Sequence, residues 1–179
     1  MGDAAVRRIG HSAALQVRTP IRAACAAVLS CAAFAALAPA ASAGDQAATL
    51  NQSERSLLAV VNEVRSGHGL RPLRVDPALA RVARSYSATM IQTDVFTHGA
   101  MFERLARSGA RGPAFGENLA WGTGPYASAR RIVGSWMASP GHRANLLRPG
   151  WNRIGLGAVK GNFLGHNSAT VVTADFAGR

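Results

Sequence analysis

Apolar residues at helical spacing first appear shortly after residue 50. Asn51, followed by Glu54 three positions later, is typical of a helix N-cap, and Gly67 and Gly69 are expected to end the helix. The pattern therefore predicts one amphipathic helix over this stretch. Its apolar face consists of Leu57, Val60, Val61 and Val64.

A second helix is predicted to begin at Asp76 and Pro77, because proline fits the first helical position and the preceding carboxylate caps free amides. Arg81 and Arg84 lie roughly opposite the apolar face, and we expect both to be solvated. The apolar face consists of Leu79, Val82, Tyr86 and Met90.

Glycine and proline interrupt the middle of the chain. The sequence FERLARSG predicts a short amphipathic helix in which Glu103 and Arg107 form a surface ion pair one turn apart. The next segment, AFGENLAWG, is short and bounded by glycine. We expect it to be an irregular loop that runs into a buried turn or strand.

The last third of the chain changes from helical to strand periodicity. Ser128 predicts the start of a helix with Trp136 on its buried face, and the serine-proline pair at Ser139 predicts its end and the start of another helix. Two β-branched stretches, 151–159 and 169–176, flank the turn residues GNFLGHNS and predict a hairpin. Helices followed by a hairpin predict an α+β domain in which helices cover an antiparallel sheet.

Residues 1–43 differ from the rest of the chain. Four arginines precede an almost charge-free stretch that ends in the sequence ASA before Gly44, which is typical of a signal peptide. The apolar run from Ala23 to Ala38 is shorter than the roughly 20 residues of a membrane-spanning helix, although an uncleaved anchor is the alternative. We therefore expect cleavage, no transmembrane anchor after processing, and a secreted or extracytoplasmic protein.

The positions of the cysteines and the excess of basic residues limit the bonds and partners that the mature domain can have. Cys25 and Cys31 both lie in the predicted leader, so the mature domain is cysteine-free and forms neither disulfides nor a thiolate metal site. Four of the 20 basic and one of the 9 acidic residues also lie there, which leaves 16 basic and 8 acidic residues. The arginines are scattered and no nucleic-acid motif is recognised, so we expect no specific nucleic-acid partner. The charge favours weak association with anionic envelope polymers or lipid headgroups.

Three phrases, FTHGAMFERL, GENLAWG and SWMASPGHRANLLRPGWNRIGLG, stand in the order and at the spacing found in bacterial members of the CAP superfamily. The stretch ERSLLAVVNEVRSGHGLRPLRVDPALARVA and the late TADF match as well. Residues 54–176 thus resemble a CAP or SCP domain, with the signal peptide 1–43 and a linker 44–53 before it and a tail 177–179 after it. The resemblance implies an α-β-α sandwich with a central cleft.

The resemblance also implies a site in that cleft. Eukaryotic relatives carry two histidines and two acidic residues there, and the matching residues are His98, Glu117 and His142. The second acidic position corresponds to Ser139, so one carboxylate is expected instead of two. Because imidazole suits zinc and similar divalent ions, His98 and His142 are the expected metal ligands. In the alternative, all three side chains only hold loops to the core through hydrogen bonds.

Three classes of function remain open. We favour a binding module, a monomer that takes a lipid, sterol or envelope glycan in its cleft or contacts a host partner. The alternative is a divalent-metal-dependent hydrolase with Glu117 as general base, and the third is an exported structural scaffold. Ser139 precedes a proline and is expected to cap a helix, and His68 and His166 lie in glycine-rich turns and are expected to be exposed. The residues alone predict no particular reaction.

Cleavage of the predicted signal peptide would give the exported protein a defined N-terminus. Mass spectrometry of the protein recovered outside the cytoplasm is expected to find a chain that begins at Gly44 or a near neighbour, because the small residues before that position suit signal peptidase. A full-length chain retained in the cytoplasm would contradict this prediction.

Overall fold

Four strands and five α-helices build residues 50–178, the part of the chain that the computed structural model describes. The predicted signal peptide, residues 1–43, and positions 44–49 of the predicted linker lie outside the described residues. The helices are α1 (Gln52–Gly67), α2 (Pro77–Thr93), α3 (Met101–Arg107), α4 (Ala129–Ala138) and α5 (Pro140–Leu146). The strands are β1 (Arg74–Val75), β2 (Phe115–Gly122), β3 (Trp151–Phe163) and β4 (His166–Gly178).

The predicted starts of the first two helices are confirmed. Asn51 and Glu54 form a reciprocal capping box, with side chain to backbone distances of 2.9 Å in both directions. Asp76 accepts hydrogen bonds from the backbone amides of Ala78 and Leu79 at the start of α2. None of the helices between residues 50 and 178 is long and apolar enough to cross a bilayer.

The sheet has the strand order β1-β3-β4-β2. The predicted hairpin is confirmed as β3 and β4, which pair antiparallel over almost their whole length, and β2 pairs antiparallel with the other side of β4. The short strand β1 adds a parallel pair to β3, so the sheet is mixed. Strand β4 continues through Ala177 and Gly178, into the segment assigned to the tail from sequence.

The prediction of an irregular loop at AFGENLAWG is wrong for most of its length, because Phe115–Gly122 form a regular strand. All eight residues pair with β4. The glycines serve close packing instead of a turn, since a Cβ at Gly116 would lie 2.9 Å from the Trp151 ring. At Gly122 it would lie 2.6 Å from the carbonyl oxygen of Tyr126.

Helices cover both faces of the sheet, which gives the α-β-α layers. Helices α1, α4 and α5 cover one face, and the predicted burial of Trp136 there is confirmed, with its Nε1 donating to the Leu119 carbonyl at 2.9 Å. Helices α2 and α3 cover the other face. The core of the first face includes Leu57, Val61, Ile132, Val133, Ile154, Leu156, Val172, Ala174 and Phe176.

Helix α2 lies directly on the backbone of β3. A Cβ at Gly155 would overlap the backbone of Leu79, and one at Gly157 would overlap the backbone of Ala83. The Ser87 hydroxyl donates to the Gly157 carbonyl at 3.2 Å and also contacts the Thr173 hydroxyl at 2.9 Å. The two glycines are therefore needed for the helix to approach the sheet this closely.

Two arginines have roles that their sequence positions did not predict. Arg84, expected to be solvated, forms an ion pair with Glu54, whose side chain is fully buried, and thereby joins α1 to α2. The hydrogen bond to Glu54 raises the pKa of Arg84. Arg65 is buried and donates to backbone carbonyls, including that of Leu146 at 2.7 Å, and burial lowers its pKa. The other three carbonyls belong to Arg71, Arg148 and Trp151.

The close approach of α2 to β3 predicts unequal effects of two glycine substitutions. Gly155→Ala is expected to lower the free energy of unfolding by about 1–3 kcal/mol, because its methyl group overlaps helix backbone that has no room to move. Gly134→Ala, inside α4 with no atom within 4 Å of the new carbon, is expected to raise it by about 0.5–1 kcal/mol. Denaturant unfolding measures both, and equal midpoints would contradict the role given to Gly155.

Candidate functional site

Glu117 lies on β2, and its side chain is fully buried at the edge of a cleft. Its Oε1 lies 2.8 Å from Nδ1 of His98. A carboxylate only accepts hydrogen bonds, so Nδ1 carries the proton and donates. In the neutral ring, the Nε2 of His98 is then left with a free lone pair.

His98 lies in the connection between α2 and α3, and a tight turn orients it. The next residue, Gly99, has a φ of 50°, and a Cβ there would lie 2.8 Å from the Tyr86 hydroxyl. That hydroxyl donates to the Thr97 carbonyl at 2.6 Å. The turn therefore requires glycine and is held against α2 on the N-terminal side of the histidine.

Arg104 is a site residue that sequence analysis missed. Its Nη2 donates to Oε2 of Glu117, and its Nη1 donates to the carbonyl of His98 at 3.3 Å. Its guanidinium lies over the Tyr86 ring, with Cζ 3.3 Å from the ring centroid. Burial is the main cause that raises the pKa of Tyr86. The sequence FERLARSG places Arg104 one turn from the loop that carries His98, which could have indicated a contact. The spacing of Glu103 and Arg107 instead suggested only a surface ion pair.

His142, on α5, approaches the cleft from the opposite side. Burial lowers the pKa of His142, and the nearby charge of His98 lowers it further, so the neutral imidazole is favoured. Asn118 donates to the carbonyl of His142 at 3.0 Å. Asn145 donates to the carbonyl of Glu117 and to Asn118 Oδ1, each at 3.0 Å. These two amides fix α5 to β2.

A cavity of about 660 Å³ lies between α3 and α5. His98, Glu117 and His142 all line it, so the structure brings the three sequence-predicted residues to one cleft. The polar part of the lining also includes Ser139 and Asn145. Met101, Phe102 and Phe115 line the apolar part. Ser139 lies between α4 and α5, and its side chain does not cap α5.

A second carboxyl group lies against Glu117, although sequence analysis expected only one at the site. Asp175 is the cross-strand neighbour of Glu117 on β4 and is fully buried. Burial, followed by the charge of Glu117, raises the pKa of Asp175 well above its ordinary value. The available sequence signal was the lone charge in TADF, inside an otherwise apolar strand.

The other two histidines of the described domain do not line this cavity. His68 is exposed at the end of α1, as predicted. His166 is also exposed, at the start of β4, where its ring centroid lies 5.3 Å from that of Trp121. Within residues 50–178, no group of three or more histidine, aspartate or glutamate side chains is arranged to hold a metal ion.

Comparison with known proteins identifies the family. Residues 58–176 match the cysteine-rich secretory protein family, CAP, and the chain belongs to this family. It is 31% identical to YkwD of Bacillus subtilis over 131 residues, which cover 70% of this chain and 47% of YkwD. It is 32% identical over 110 residues to the membrane protein YlbC of the same organism, covering 59% of this chain and 31% of YlbC. The chain thus spans about half or less of the length of each of these relatives.

Solved structures agree on the fold. An extracellular SCP-domain protein from Bacillus anthracis superimposes with a TM-score of 0.60 at 24% identity, over 75% of this chain and 42% of that protein. An outer surface protein of Borrelia burgdorferi also gives a TM-score of 0.60, at 22% identity, over 72% of this chain and 95% of that protein. The α+β fold with a helix-covered sheet is therefore that of SCP domains.

Proposed function

We propose that this chain is an exported binding module whose cleft takes an amphiphilic ligand with an anionic headgroup. The division of the cavity wall into a polar end and an apolar side carries this proposal. The predicted signal peptide supports export. The extracellular protein of Bacillus anthracis and the outer surface protein of Borrelia burgdorferi, which share the fold, are consistent with it.

The polar end of the cavity suits a headgroup that accepts hydrogen bonds. His142 and Ser139 supply N–H or O–H groups from the α5 side. Two carboxylates line the cavity, and each has a cationic partner: Glu117 pairs with Arg104, and Glu103 lies 3.7 Å from Arg107, so neither presents an unpaired negative charge to an anion. The surplus of 8 basic residues in the predicted mature chain also favours an anionic ligand.

The apolar side suits an acyl chain or a similar hydrophobic group. Phe102 is 65% exposed on α3, together with Met101 and Phe115 along the same wall. Large exposed aromatic side chains beside a cavity are typical of ligand-binding surfaces. A lipid fits this wall better than a polar envelope glycan does.

The hydrolase alternative requires Glu117 to act as general base. Both of its oxygens already accept charge-assisted hydrogen bonds, one from His98 and one from Arg104. Taking a proton from water would weaken the ion pair with Arg104 and the hydrogen bond from His98, which counts against this role. The geometry therefore favours binding over hydrolysis.

A divalent ion bound by His98 and His142 remains part of the proposal. The hydrogen bond from Nδ1 of His98 to Glu117 resembles the way carboxylates orient metal-binding imidazoles, and it leaves Nε2 for the ion. The lowered pKa of His142 keeps its ring neutral, as a ligand must be. With only two protein ligands, the remaining positions fall to water or to the bound headgroup, so we expect modest affinity.

Binding of an amphiphile is tested with monomeric lysophosphatidylglycerol as the probe. Phe102→Ser is expected to weaken its binding about tenfold or more by calorimetry, because the loss of a buried aromatic contact costs about 1.5–3 kcal/mol. The free energy of unfolding should stay within about 0.5 kcal/mol, since the side chain is exposed in the free protein.

Tyr126→Ser is the matched control, since Tyr126 is 68% exposed and does not line this cavity. Equal weakening in both variants, or no binding by the wild type, would contradict the proposal. Binding of a soluble peptidoglycan fragment in place of the lipid, unaffected by Phe102→Ser, would also overturn it and would favour a glycan ligand.

Zinc uptake tests the two imidazoles. Calorimetric titration is expected to give binding that His98→Ala and His142→Ala abolish, and that Glu117→Gln weakens by only 10–100-fold because that residue orients a ligand without binding the ion. Binding should weaken as the pH falls, since protonated imidazole cannot coordinate metal. Identical weak heats for the wild type and both alanine variants would show that the histidines are structural.

A further inference from the structure

Asp175 lies at a position where no positive charge of its own would balance an ionised carboxylate. It lies between Gly155 on β3 and Glu117 on β2 in the same row of the sheet. Directly opposite residues of an antiparallel pair point to the same face, so the Asp175 and Glu117 side chains meet on the side that α2 covers. Both side chains are fully buried.

Neither carboxyl oxygen of Asp175 receives a hydrogen bond from any residue in the described part of the chain. Gly155, the neighbour of Asp175 on β3, has no side chain that could donate. Its small size lets the backbone of α2 pack directly over Gly155, Asp175 and Glu117. The groups that act on Asp175 electrostatically are Glu117 on β2, Arg104 on α3 and Tyr86 on α2. The single cation among them already forms an ion pair with Glu117.

Charge balance decides the state of this cluster. With Arg104 positive and Glu117 negative, a neutral Asp175 leaves the cluster without net charge. An ionised Asp175 would be a second buried negative charge without a donor, which is strongly unfavourable. Two ionised carboxylates also cannot hydrogen-bond to each other, whereas one proton between them makes a short and strong bond.

We propose that Asp175 is a positioning residue of the cleft, which as a neutral carboxylic acid donates a hydrogen bond to Glu117 and holds that carboxylate in place. Glu117 then accepts from three directions, from Asp175 below and from His98 and Arg104 at the cleft. One carboxylate thus lies at the cleft and one neutral acid lies behind it. This role does not depend on the ligand, so amphiphile binding and the carboxyl pair fail or succeed separately.

The sign of the pH dependence follows from the raised pKa of Asp175. Below about pH 4, the folded and unfolded chains both keep the Asp175 proton. At higher pH the unfolded chain releases it and the folded chain retains it, so the wild type loses stability as the pH rises toward the folded-state pKa. Asp175→Asn removes this loss and keeps an N–H donor toward Glu117.

Denaturant unfolding at intervals from pH 4 to pH 8 tests the proposal. The unfolding equilibrium constants of the wild type and Asp175→Asn are expected to agree near pH 4. Their ratio should then grow by up to about tenfold per pH unit in favour of the variant. Asp175→Leu, which has no donor, is expected to be less stable than Asp175→Asn at every pH. Asp94→Asn is the control for pH: Asp94 is exposed and accepts a hydrogen bond from the Leu164 amide, so a change in stability there should be the same at every pH and the curve should run parallel to that of the wild type.

A second measurement needs no variant of Asp175. Carbon-13 NMR of side-chain carboxyls is expected to find one aspartate in the wild type that keeps its proton at a pH where the other aspartates are ionised. An Asp175→Asn variant that does not gain stability over the wild type as the pH rises, or a spectrum in which every aspartate ionises in the ordinary range, would overturn the proposal. Failure of the variant to fold would leave the decision to the spectrum.

Discussion

The contact between α2 and the backbone of β3 is the constraint on which the site depends. Gly155 and Gly157 let the helix lie against the strand with no side chain between them, so Ser87, Thr173 and Asp175 are fully buried beneath it. In that buried layer the hydroxyls of Ser87 and Thr173 contact each other, whereas no residue in the described part of the chain donates a hydrogen bond to Asp175. The close packing that stabilises the fold thus creates the buried acid that supports Glu117.

The same helix also determines where His98 lies. Tyr86, near the middle of α2, receives the guanidinium of Arg104 on its ring and binds the Thr97 carbonyl through its hydroxyl. One aromatic residue therefore fixes both the cation that neutralises Glu117 and the turn that carries the histidine. A shift of α2 away from β3 would move Tyr86 and would therefore displace both Arg104 and the turn that carries His98.

Local signals in the sequence predicted most of the fold but only part of the site. The capping box at Asn51, the start of α2 at Asp76 and the final hairpin depend on neighbouring residues and were confirmed. Strand β2 was predicted only as the possible end of an irregular loop, because its glycines serve contacts with distant residues such as Trp151. Asp175 was missed for a related reason, since its pairing with Glu117 joins two strands that are far apart in the sequence.

The location of the cleft follows from β2 being an edge strand. Among the strands of residues 50–178 it pairs only with β4, and on its other side its carbonyls at Glu117 and Leu119 accept from the side chains of Asn145 and Trp136. These bonds occupy groups that would otherwise be open to another strand. Because side chains from α4 and α5 replace a fifth strand there, space remains between α5 and α3. The two histidines face that space from opposite sides, so the candidate site lies at this edge of the sheet.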